Sequence, residues 1–91
     1  MTKEAAVHRD DTEAVFAAIV EEHAKMKPAK VTRDQRFQAD LGIDSLTMID
    51  VAVAVEDAFG VRIAEDDLES LATVGDAVDY IQRAKDLGPP L

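Results

Sequence analysis

The stretch Ser45-Leu-Thr-Met-Ile-Asp-Val-Ala-Val-Ala-Val-Glu-Asp-Ala-Phe59 constrains the fold more than any other part of this chain. Met48, Val51, Ala52, Val55 and Phe59 fall at offsets 0, 3, 4, 7 and 11, and every one is apolar, as on the buried stripe of an α-helix. The alternation within Val51-Ala-Val-Ala-Val55 reads locally as a strand. The surrounding register, however, persists at helical spacing for about four turns, so the spacing predicts a helix over 45–59. Asp44 is suited to cap its start, and Gly60 can take the left-handed conformation just past its end. Counted from Leu46, the same offsets give Ile49, Asp50, Val53 and Asp57, with Glu56 beside them. That second stripe mixes aliphatics with carboxylates and is too acidic to be buried in a small domain. Apolar anchors ringed by one sign of charge have the character of a docking surface, against the alternative of an ordinary solvated helix face.

The rest of the chain supplies partners for the apolar stripe. Phe16, Ile19, Val20 and His23 share a helix face, which predicts a first helix from Asp11 or Thr12 to about Met26, capped by Asp11 and stopped by Pro28. Residues 28–43 form a long loop that Val31, Phe37 and Leu41 are expected to pin to the core. A short helical turn is predicted at Glu65–Leu71. A last helix is predicted from Val74 to about Lys85, with Thr73 as cap, Asp76 near the positive end of the dipole, and Ala77, Val78 and Ile81 facing inward. The expected fold class is all-α: a four-helix bundle with three longer helices, one short helix and a long first loop. Residues 1–9 and 86–91 are expected to be flexible tails around a domain spanning 10–85.

At 91 residues the chain has room for one domain. Such a domain buries only about 60–65% of its unfolded surface. With three Phe, one Tyr and no Trp, its core must be built from aliphatics. The absence of Cys excludes a disulfide framework and a thiolate metal site. No apolar run is long enough for a membrane span, and the N-terminal residues lack the apolar core of a secretory signal, so a cytoplasmic location is expected. The net charge is −9, of which −8 comes from residues 44–83, where ten acids face only Arg62 and Arg83. A field of that sign repels nucleic acid and anionic membranes and attracts basic protein surfaces.

Ser45 stands where the helix dipole is positive and backbone N–H groups lack partners, a favourable place for a phosphate ester. Its alternative role is to help cap the helix. As a catalytic nucleophile it would need a nearby base, yet the only histidines are His8, near the N-terminus, and His23, on the stripe of the first helix. The G-x-S-x-G elbow is absent. A calcium loop begun at Asp40 would end on Val51 where a Glu is required, and there is no Gly-rich phosphate loop or His/Cys metal spacing. The residues by themselves describe an acidic helical module with an exposed serine, a docking face and no machinery for catalysis.

The segment Asp40-Leu-Gly-Ile-Asp-Ser-Leu46 resembles the attachment motif of acyl carrier proteins. The resemblance continues through Glu56-Asp-Ala-Phe-Gly-Val-Arg-Ile63, Glu65-Asp-Asp-Leu68 and Thr73-Val-Gly-Asp-Ala-Val-Asp-Tyr-Ile81, and covers about residues 10–83. It is closest in character to discrete bacterial carriers of type II fatty acid synthesis, with an actinobacterial flavour. The resemblance implies a non-catalytic carrier and a covalent 4′-phosphopantetheine on Ser45, transferred from coenzyme A by a separate Mg²⁺-dependent enzyme. Acyl chains would be held as thioesters on the arm's thiol and shuttled between fatty acid synthesis enzymes. The alternative is a discrete carrier for a polyketide or other specialised acyl pathway.

The same resemblance implies that Asp44, Leu46, Ile49, Asp50, Val53, Glu56 and Asp57 meet the partners. These would be the phosphopantetheinyl transferase, acyltransferase, ketosynthase and other enzymes with basic docking surfaces, served by a monomeric carrier. The acyl chain is expected among Val51, Val55, Leu68 and Ile81. Four positions depart from the family pattern: Thr47 and Ala58 replace frequent acids, Ala64 a frequent proline, and Ala24-Lys25 a frequent Leu-Gly.

Overall fold

A computed structural model describes the backbone of residues 3–87 and the side chains of residues 12–86. The helices are α1 (Lys3–His23), α2 (Ser45–Phe59), α3 (Glu65–Ser70) and α4 (Val74–Leu87). The expected architecture is therefore found, with two differences in α1. It begins at Lys3, so Asp11 and Thr12 lie inside the helix and the expected boundary near residue 10 falls within it. Lys3-Glu-Ala-Ala has good intrinsic helix propensity without an apolar stripe, so the helix extends N-terminal to Asp11, which does not cap it. Residues 88–91 of the expected C-terminal tail lie outside the described residues.

The second difference is that α1 ends at His23 rather than Met26. Ala24 N–H still bonds to Val20 O, but Lys25 and Met26 N–H both turn to Leu41 O, at 3.0 and 3.1 Å. The incoming loop thus takes over these groups before Pro28 is reached. At the other helix ends, local chemistry decides as expected. Asp44 Oδ1 accepts from Thr47 N at 2.9 Å, and Gly60, at φ 69°, closes α2 with its N–H on Glu56 O. Thr73 and Asp76 cap α4 reciprocally, Oγ1 accepting from Asp76 N and Oδ2 from Thr73 N.

The core joins Phe16 and Val20 of α1, Val51 and Val55 of α2, and Val74, Ala77, Val78 and Ile81 of α4. Phe37, Leu41 and Ile43 enter it from the first loop, Phe37 edge-on to Phe16 at 6.1 Å between ring centroids, while Val31 packs at the margin. The loop is also tied by its backbone. Phe37 N–H bonds to Ala72 O, Val74 N–H to Gln35 O and Gly75 N–H to Arg33 O. Arg33 then reaches Asp79 through two bonds of 2.9 and 3.0 Å, which raise its pKa. Apolar anchors were legible in the sequence of this loop; its pairing with residues 72–75 was not. Thr12, nearly inaccessible at 1% exposure, accepts a 2.7 Å bond from Lys85 Nζ, which also lies 5.4 Å from the Phe59 ring centroid. That contact ties α4 to α1 and α2 where the expected domain boundary at residue 85 falls.

Candidate functional site

Ser45 is the first residue of α2 and is exposed. Because Asp44 supplies the cap, the serine hydroxyl is not needed for it. The bond from the Thr47 N–H, reinforced by the ammonium of Lys25, holds the Asp44 carboxyl below its usual pKa. Lys25 Nζ stands 3.5 Å from Asp44 Oδ2.

Beside Ser45 opens a cleft of about 570 Å³ between the start of α2, the first loop and α3. Phe37, Ile43, Met48, Leu68 and Leu71 line it with apolar surface, Arg36 stands on the loop side, and Glu65 and Glu69 on the α3 side. Of the residues expected to surround an acyl chain, only Leu68 lines this cleft. Val51, Val55 and Ile81 are packed in the core, with exposures of 1–2%.

The wall formed by α3 is lightly held. None of its residues is buried, and Ala64 gives it no side-chain cap. Tyr80 of α4 donates a 2.7 Å hydrogen bond to Asp67 Oδ2, a contact that, with partial burial, raises the tyrosine pKa. Sequence reasoning missed this bond, since nothing local pairs residues on different helices.

The second stripe of α2 faces outward. Leu46, Ile49 and Val53 are exposed by 74%, 47% and 59%, and with Met26 they are the exposed large hydrophobic side chains among the described residues. Asp44, Asp50 and Asp57 are exposed as well. Glu56 differs: it is half-buried, and its Oε2 accepts the Ile63 N–H at 2.8 Å, so part of its hydrogen-bonding capacity serves the fold. Met48, Val51, Ala52, Val55 and Phe59 turn inward, Met48 and Phe59 only partly. Among the described residues, no group of His, Cys, Asp or Glu has metal-binding geometry, and no helix is long and apolar enough to cross a membrane.

Residues 14–81 match the phosphopantetheine attachment site family. The chain is 43% identical over 84 residues to the meromycolate extension acyl carrier protein of Mycobacterium leprae, spanning 92% of this chain and 73% of that protein. It is 49% identical over 70 residues to an acyl carrier protein of Rhodococcus erythropolis, spanning 77% of each. The fold superposes on the crystal structure of an acyl carrier protein from Thermotoga maritima with a TM-score of 0.74 at 26% identity, over 87% of this chain and 92% of that one.

Proposed function

Because the chain belongs to the acyl carrier proteins, non-catalytic carriers with a phosphopantetheine attachment site, we propose that Ser45 is the residue that takes the arm. One observation carries the assignment: Ser45 is exposed at the first position of α2, is relieved of capping by Asp44, and borders the cleft. The residues fit the group. The cleft volume lies within the range of about 300–1,000 Å³ common for small-molecule sites. Its apolar lining suits an acyl chain, and its polar rims suit the amide-bearing arm. Ser45 Oγ forms the new bond to phosphorus as the diphosphate bond of coenzyme A breaks, and adenosine 3′,5′-bisphosphate leaves. The hydroxyl proton passes to a base of the transferase. The thiol of the attached arm supplies the thioester chemistry that a chain without Cys lacks.

Asp44, Leu46, Ile49, Asp50, Val53, Glu56 and Asp57 form the surface read by the transferase, acyltransferase and ketosynthase, with Glu56 contributing least because Ile63 engages it. The cargo is a fatty acyl chain undergoing extension, a reading supported by the name of the Mycobacterium leprae relative. Incubation with coenzyme A and a phosphopantetheinyl transferase tests the assignment. Ser45→Ala is expected to keep the helical circular-dichroism spectrum and lose the phosphopantetheine mass increment. A modified Ser45→Ala protein refutes it.

A further inference from the structure

The chain beyond α1 brings a cation to Asp44, the residue before Ser45. Lys25 N and Met26 N both bond to Leu41 O, clamping residues 25–26 against the segment that leads into α2. Gly42 permits the approach: its φ is 68°, and a Cβ there would stand 3.1 Å from Lys25 Cβ. The backbone and the root of the Lys25 side chain are therefore fixed, unlike those of a lysine projecting from an open loop. From that anchor the ammonium reaches Asp44 Oδ2 at 3.5 Å, while the other carboxylate oxygen stays on the cap of α2.

Esterification of Ser45 adds a phosphodiester anion on the residue next to Asp44. Two negative groups on adjacent residues repel, and the partial charge of the helix start offsets only part of that. Arg36 is the cation that borders the cleft at Ser45, and it is held by Asp40, whose Oδ2 lies 2.7 Å from its backbone N and 3.4 Å from Nε. Lys25 is already seated on the acid that the new anion adjoins. Resting on the reading of Ser45 as the attachment residue, we propose that the Lys25 ammonium is the counter-charge of the arm's phosphodiester, shared with Asp44, and holds the root of the arm.

The experiment uses wild type, Lys25→Gln, Lys25→Arg and Lys30→Gln, each in apo form and after loading from coenzyme A. Loading is checked by mass, the phosphodiester by phosphorus NMR, and stability by melting temperature. In Lys25→Gln, the phosphorus resonance is expected to move, and loading is expected to lower the melting temperature by about 2–5 °C more than in wild type. Both differences shrink as salt screens the pair. Lys25→Arg restores the wild-type values, and Lys30→Gln, which removes the same charge elsewhere on the loop, leaves them unchanged. An unmoved resonance and an unchanged melting difference in loaded Lys25→Gln overturn the role of Lys25, as does an equal response in Lys30→Gln. If wild type acquires no arm, or acquires it at another residue, the reading of Ser45 fails first and this role falls with it.

Discussion

Val53 and Val55 stand two residues apart on α2, yet the helix turns their side chains about 200° from one another. Val55 is 1% exposed and belongs to the core; Val53 is 59% exposed on the acidic face. Replacing Val55 with Asp places a carboxyl where no water reaches it. Keeping that carboxyl protonated at pH 7, against an ordinary pKa of about 3.9, costs about 4 kcal/mol. Loss of the buried valine surface adds about 1.5–3 kcal/mol. The sum, about 6 kcal/mol, reaches the lower part of the range of about 5–15 kcal/mol typical of whole-domain stabilities, where a small aliphatic core is expected to lie.

Val55→Asp should therefore be largely unfolded at 25 °C, and Val55→Ala should lose about 1.5–3 kcal/mol and stay folded. Val53→Asp should lie within about 0.5 kcal/mol of wild type, because the new side chain meets water and the two residues have similar helix propensity. It should nevertheless be a poor transferase substrate, having lost an apolar anchor and gained a like charge. Urea melts and phosphopantetheinylation rates measure the two effects separately. Equal destabilisation by the two Asp substitutions would refute the assignment of faces, and a normal modification rate for Val53→Asp would refute the docking surface.

Two further outcomes concern charge. With −8 concentrated in residues 44–83, transferase association should weaken as salt rises, since surface charges are screened beyond about 8–10 Å near physiological ionic strength. The melting temperature should rise over the same series as self-repulsion is relieved, so salt-independent kinetics or a falling melting temperature would contradict the respective half. Asp44 has a depressed pKa in the fold because of the Thr47 N–H and Lys25, so its charged form contributes stability that is present above the unfolded value near 3.8 and is lost as pH falls through the lower folded value. The side-chain amide introduced by Asp44→Asn still caps the helix but does not titrate. The melting-temperature advantage of wild type over Asp44→Asn should stay constant above about pH 5 and narrow below about pH 4; a gap that widens on acidification would contradict the cap assignment.

Much of α2 was legible in the sequence because its determinants are local. Asp44 bonds within its own first turn, Gly60 follows the last, and helical periodicity alone separates Leu46, Ile49 and Val53 from Val51 and Val55. The reciprocal cap of Thr73 and Asp76 is local in the same sense. What the sequence left open depends on groups that meet only after the chain has folded back on itself. Leu41 O takes the N–H groups of Lys25 and Met26, so α1 stops before its proline, and the same clamp carries an ammonium to Asp44. Ile63 N–H engages Glu56, withdrawing part of one carboxylate from an otherwise outward face. The cleft lies among Ile43, Met48, Leu68 and Leu71, beside α3, which Tyr80 of α4 ties down through Asp67. Periodicity specifies which side of a helix is apolar. Only the packed arrangement of α2, α3 and α4 specifies which part of that apolar side is filled and which part borders open space.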